Sequence, residues 1–194
     1  MNQPLLNKER PPIQGNKLLL AILFIALILR FIWLDRIPSG FDMDEVQVGY
    51  NAFSLLETLR DENGRFLPLH TSFFNESRPM LSMYLAAIPI AIFGVNVFAV
   101  RATVAALGVL AVLLTYILTN LLFQNRKLAL LASSLLAVSP WHIILTRTTA
   151  DGAVGLTGIL LSAVFLVKWV RTEKLQFLLL TYLSWTLSFF AYIG

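Results

Sequence analysis

The chain alternates long apolar runs with short polar breaks. Leu18–Leu34 is interrupted only by Arg30 and would reach roughly 26 Å as a helix, enough to span a bilayer. Phe98–Phe123, Leu128–Leu145, Ala153–Val170 and Leu175–Gly194 read as four further spans. A cleaved signal peptide is the rival for the first run. Asp35-Arg36-Ile37-Pro38 follows it where a small-x-small cleavage site would stand, which favours a retained span. Arg30, about one turn from the end of that run, is expected to snorkel to the interface. Residues 1–16, with Pro4, Lys8, Arg10, Pro11 and Pro12, are expected to form a disordered arm.

Within the polar loop 35–78 a helical period returns. Val48, Ala52, Leu55 and Leu59 fall on one face, and Asp44 with Gln47 resembles an N-cap pair, so a helix from about Val46 to Arg60 is predicted on the membrane surface. Asp61-Glu62-Asn63-Gly64 then predicts a turn. Met80–Val97 is apolar but interrupted by Pro89 and Gly94, and charge parity decides its role. If it crossed, Arg126/Lys127 and Lys168/Arg171/Lys174 would face away from Lys8/Arg10/Lys17. If it does not, all three basic clusters share one side and the acidic loop faces the other, as the positive-inside rule prefers. The expectation is therefore an all-α polytopic membrane protein. It has about five transmembrane helices, a cytoplasmic N-terminus, and an outer loop 35–97 holding two juxtamembrane helices, the second bent at Pro89.

Composition agrees. Hydrophobic residues make up 57% and charged residues 13%, with a mean hydropathy of +0.73, which excludes an ordinary soluble domain. The net charge of +4 comes from short basic clusters between apolar runs, a topology signal and not a nucleic-acid surface. With no cysteine and two histidines, thiol chemistry, disulfides and histidine-rich metal sites are excluded. The acids are unevenly placed: eight of the eleven (Asp35, Asp42, Asp44, Glu45, Glu57, Asp61, Glu62 and Glu76) lie in residues 35–78.

That concentration suggests chemistry at the outer interface, where Asp44, Glu45, Arg78, Arg101, Arg147 and Asp151 can gather. A desolvated carboxylate can act as a general base toward a hydroxyl, and arginines can hold a phosphate. Asp44 and Glu45 are adjacent, so they point about 100° apart on a helix and have separate jobs. Plainer readings stand beside these: Asp44 as a helix cap, Arg78 and Arg101 as headgroup anchors, Arg147 and Asp151 as an i, i+4 salt bridge, and Trp141-His142 as part of an aromatic belt.

The order of features resembles the N-terminal module of the GT-C glycosyltransferases. These are the polyprenyl- or dolichyl-phosphate-sugar-dependent enzymes that include protein mannosyltransferases and aminoarabinose transferases of lipid A. The likeness rests on Asp44-Glu45, Gly49-Tyr50-Asn51-Ala52, Asp61-Glu62-Asn63-Gly64 with Pro68-Leu69, and Arg78-Pro79 leading to Tyr84-Leu85. It continues through Phe93-Gly94, Arg101, Ser139-Pro140-Trp141-His142-Ile143, and Arg147 with Asp151. The resemblance implies inverting sugar transfer from a lipid-phosphate donor to an acceptor glycan, lipid or protein at the outer face of the plasma membrane. By position it implies Asp44 as base with Glu45 in support, Arg78, Arg101 and Arg147 toward the donor phosphate, and Tyr50, Glu76 and Asp151 as supporting residues. The family usually has two prolines where this chain has Pro79-Met80. Relatives also have more spans and often an outer C-terminal domain, so the 194 residues read as an N-terminal portion. No nucleotide cofactor is implied and no glycine-rich phosphate loop is present; a divalent metal is left open, with Asp44, Glu45, Glu76 and Asp151 as oxygen donors. The rival readings are a fragment of a secondary transporter or flippase, which would carry mid-bilayer charges and internal repeats, and a non-catalytic membrane scaffold.

Overall fold

The computed structural model describes residues 17–73 and 76–191, without the side chains of Phe73 and Glu76; the predicted arm 1–16 lies outside them. The chain runs α1 (Lys17–Phe31), α2 (Met43–Thr58), β1 (His70–Phe73), β2 (Glu76–Pro79), α3 (Leu81–Phe93) and α4 (Val97–Phe123). It continues through α5 (Arg126–Val138), α6 (Pro140–Leu145), α7 (Asp151–Thr172) and α8 (Leu175–Phe189). It is an all-α membrane protein with one small hairpin. Among the described residues, α4 and α7 are long and apolar enough to cross a membrane as single helices.

The other apolar runs are shorter or broken. The run predicted over 128–145 ends as α5 at Val138 and restarts as α6 at Pro140, because proline lacks an N–H and sets up a first turn far better than an interior one. Small residues let the spanning helices approach closely: Ala26, Ala99, Ala105, Ala111, Ala129, Ala137 and Ala153 are all buried. Between α7 and α8, Ser188 donates to Gly155 O at 2.6 Å and Ser162 donates to Thr181 O at 3.1 Å.

The helix predicted within loop 35–78 is displaced from its expected register. Its N-cap is Asp42, not Asp44: Asp42 Oδ1 accepts from Met43 N–H at 2.7 Å, and Glu45 Oε2 accepts from Asp42 N–H at 3.2 Å. At the other end Leu59 is the C-cap in a left-handed conformation (φ 57°) and is exposed, so it leaves the predicted apolar face. The rest of that face turns onto protein: Val48, Ala52 and Leu55 pack with Met80, Met83, Ala86 and Ile90 of α3 and its N-cap, and with Ala99 and Val100 of α4. Gly49 permits the approach, since a Cβ there would meet Val100 Cγ2 at 2.9 Å. A different stripe, Met43, Val46, Tyr50, Phe53 and Leu56, is left exposed on the opposite face.

The predicted turn forms. Asp61 Oδ1 accepts from Asn63 N–H and Arg65 N–H at 3.0 and 2.8 Å, and Gly64 takes the positive φ of 79°. The loop then docks on α2 through Gln47 Nε2 to Glu62 Oε1 (3.0 Å) and Glu62 N–H to Asn51 Oδ1 (2.9 Å). The antiparallel β1–β2 hairpin, absent from the sequence-based expectation, pairs Thr71 with Arg78. Directly opposed residues share a face. Thr71 is fully buried and donates to Glu62 Oε1 at 3.3 Å, so Arg78 is carried toward the same side.

Candidate active site

One end of the bundle collects the polar residues. The end of α1, the starts of α2, α3, α4 and α7, and the end of α6 all meet there. α3 begins and ends at this end: Ser82 meets Asp151, while Phe93 packs on Phe98, which touches Phe31. Pro89 stays inside α3 as one helix that continues to Phe93.

Glu45 and Arg101 form a buried bidentate pair, with Nε to Oε1 at 2.6 Å and Nη2 to Oε2 at 2.8 Å. Arg101 also donates to Leu34 O and Pro38 O from Nη1, at 3.0 Å each, and to Gly40 O from Nη2 at 2.7 Å. These bonds use all five guanidinium N–H groups. The headgroup-anchor reading and the phosphate-binding reading of Arg101 both give way to a structural one: it ties the α1–α2 connection to α4.

Arg147 behaves alike. It donates to Leu29 O and Ile32 O at 2.7 Å, to Trp33 O at 3.2 Å, and to Ile37 O from two nitrogens at 3.1 and 2.8 Å. A helix C-terminus leaves its last carbonyls without intrahelical donors, and Arg147 supplies one to Leu29 O of α1 and the others to the turns that follow it. Burial, and after it the charge of Arg101, lowers the Arg147 guanidinium from its ordinary value, though a guanidinium stays charged at neutral pH. The expected Arg147–Asp151 pair does not close on itself, because the two side chains reach in different directions.

What remains open toward solvent is Asp44 with Arg78. Their side chains pair at 3.0 Å, with Asp44 48% and Arg78 25% exposed. Asp44 sits in the first turn of α2, where the helix dipole favours a negative charge, but it does not cap that helix. Asp151 begins α7, accepts a short hydrogen bond from Ser82 Oγ, and feels the charges of Arg78 and Asp44. Asp44, Arg78, Ser82 and Asp151 thus form one polar cluster, of which the sequence had not signalled Ser82.

Tyr50 and Glu76 were the other two candidates. Tyr50 lies on the exposed stripe of α2, away from Asp44, and the side chain of Glu76 is outside the described residues. Among the described residues, no three acids or histidines gather as a metal-binding group, and Glu45 is committed to Arg101.

Sequence reasoning also misplaced Arg30 and His142. Arg30 does not snorkel. It is fully buried, donates to Ala26 O and Ala137 O at 3.1 Å, and meets His142 Nδ1 at 2.6 Å. The carbonyls freed where α5 breaks before Pro140 attract it inward, and Gly108 leaves it room, since a Cβ there would meet Arg30 Nε at 2.9 Å.

The family model for dolichyl-phosphate-mannose-protein mannosyltransferase matches residues 77–193. No curated protein and no solved structure matches the chain.

Proposed function

The chain belongs to the dolichyl-phosphate-mannose-protein mannosyltransferase family, and from that premise we propose that it carries an Asp44-centred site transferring a sugar from a polyprenyl-phosphate-linked donor to an acceptor hydroxyl. It is a membrane glycosyltransferase of the GT-C kind by family. The donor, the stereochemistry and the base are our reading.

In this reading Asp44 removes the proton of the acceptor hydroxyl as its oxygen attacks the anomeric carbon. The bond from that carbon to the phosphate oxygen breaks on the opposite face, the configuration inverts, and the lipid phosphate leaves. Arg78, the accessible arginine beside Asp44, neutralises the phosphate by charge-assisted hydrogen bonds. Asp151 and Ser82 orient Arg78 and the acceptor. Glu45 acts as a positioning residue: through Arg101 it holds the start of α2, and with it Asp44. The site faces outward from a plasma membrane, where a lipid-borne sugar is available and nucleotide sugars are not.

The observation that carries the reading is the partly exposed Asp44–Arg78 pair beside Asp151 and Ser82. Sugar transfer from a labelled polyprenyl-phosphate sugar, measured in membranes with the full gene product, tests it. Asp44→Asn should lower the rate by about 10²–10⁴-fold with insertion unchanged. Near-full transfer by Asp44→Asn would remove Asp44 from the mechanism.

A further inference from the structure

The end of the bundle opposite the polar cluster is rich in bases. Lys17 opens α1, Arg126 and Lys127 open α5, Lys168 and Arg171 lie near the end of α7, and Lys174 is the N-cap of α8. Packing draws these helix ends together around the last turns of α4. Leu19 of α1 and Ala129 of α5 form one core cluster with Tyr116, and Arg171 donates to Leu121 O. Lys168 Nζ lies over the rings of Phe165 and Phe177, at 5.9 and 5.6 Å, and so bridges α7 to α8. Among the described residues, Glu173 is the one acid in these helix ends.

The neighbours of these bases indicate what the charge faces. Lys17, Lys127 and Lys174 are exposed, and each is followed by an exposed leucine: Leu18, Leu128 and Leu175. Val170, beside Arg171, is exposed as well. A lysine stem can lie along such an apolar surface while its ammonium reaches past it into a polar layer. A soluble anion would gain nothing from the leucines. A lipid with an anionic headgroup meets both parts, its phosphate at the ammonium groups and its acyl chains against the leucines.

We infer that this end of the bundle is a docking surface for anionic phospholipid, with Lys17, Lys127 and Lys174 as its headgroup contacts. Lys168 and Arg171, held by the two rings and by Leu121 O, add positive charge from fixed positions. A zwitterionic headgroup carries its own cation and cancels the attraction, so the surface selects by lipid charge. It is separate from the Asp44 cluster and does not depend on which reaction the chain performs.

The test uses the full gene product reconstituted in phosphatidylcholine vesicles that hold a trace of spin-labelled phosphatidylglycerol or spin-labelled phosphatidylcholine. The fraction of label slowed by the protein gives the relative association of the two lipids. Phosphatidylglycerol should be favoured about fivefold, and about 1 M salt should remove that preference. Lys17→Gln/Lys127→Gln/Lys174→Gln should bring the ratio close to one. Arg36→Gln/Arg60→Gln/Arg65→Gln, which takes the same charge from loop 35–78, should leave it unchanged. Equal slowing of the phosphatidylcholine label in all three proteins shows that each is folded and inserted. Equal association of the two lipids with the unaltered protein overturns the inference. So does a preference that survives in the lysine variant, or one lost equally in the arginine variant. Inorganic phosphate that displaces the label where chloride of the same ionic strength does not would make a soluble anion the ligand, and also overturns it.

Discussion

At the scale of single residues, the Asp44-Glu45 dipeptide divides into two roles that only tertiary contacts separate. Glu45 is 2% exposed and clamped by Arg101, itself 1% exposed, while Asp44 pairs with Arg78 at the surface. Removing one partner of a buried ion pair leaves an uncompensated charge and costs about 3–5 kcal/mol, whereas an exposed pair is worth about 0–1 kcal/mol. Glu45→Ala should therefore lower the unfolding temperature in detergent sharply, and Asp44→Ala should leave it nearly unchanged. Equal melting temperatures for the two variants would refute this division. Two overlapping capping patterns, Asp42 with Glu45 and Asp44 with Gln47, are both present in the sequence. Local rules could not choose between them; the pull of Arg101 on Glu45, 56 positions away, does.

At the scale of elements, the apolar runs were legible because length and hydropathy alone define them. Their internal breaks were less so. Ser139-Pro140 interrupts hydrogen bonding without interrupting hydropathy, so the run 128–145 looked continuous although it is α5 and α6. The β1–β2 hairpin was not legible either, since its strands are four residues each and carry no strong alternation. Helix contacts depend on small residues, whose role a hydropathy reading does not show. A Cβ at Gly158 would lie 2.8 Å from Ser188 Cβ and 3.2 Å from Ser188 Cα. Gly158→Leu should separate α7 from α8 and destabilise the protein by about 1–3 kcal/mol. Thermal unfolding beside Leu166→Ala, a change on the exposed face, checks this; matching curves would contradict it.

At the scale of the whole molecule, the polar cluster and the basic linkers lie at opposite ends of the bundle. Arg171 donates to Leu121 O near the α4–α5 connection, far along the chain from the end where Arg101, Arg147 and Asp151 begin or follow their helices. The absence of cysteine gives a clean background for topology mapping. In intact cells an impermeant maleimide should label Ser72→Cys but not Gln124→Cys, and lysis should expose the second. The reverse pattern would turn the proposed orientation around. Parity of the basic clusters predicts this orientation from charge alone, because charge near a bilayer is a global constraint, and the labelling tests it. How Arg101 and Arg147 are used was not readable, because arginines look alike in a sequence until the carbonyls they bind are known.

The reach of Arg147 bears on how the chain is made. Its partners Leu29, Ile32, Trp33 and Ile37 precede it by 110 positions or more. While the chain is still being synthesised, the carbonyls of Leu29 in α1 and of Ile32 and Ile37 after it lack this donor until α6 has emerged and delivered the guanidinium. Asp151 follows four residues later, so the same event that completes the end of α1 brings the last carboxylate of the polar cluster to Ser82. A nascent chain stopped before Arg147 thus lacks both the guanidinium that ties the end of α1 to α6 and the carboxylate that Ser82 binds.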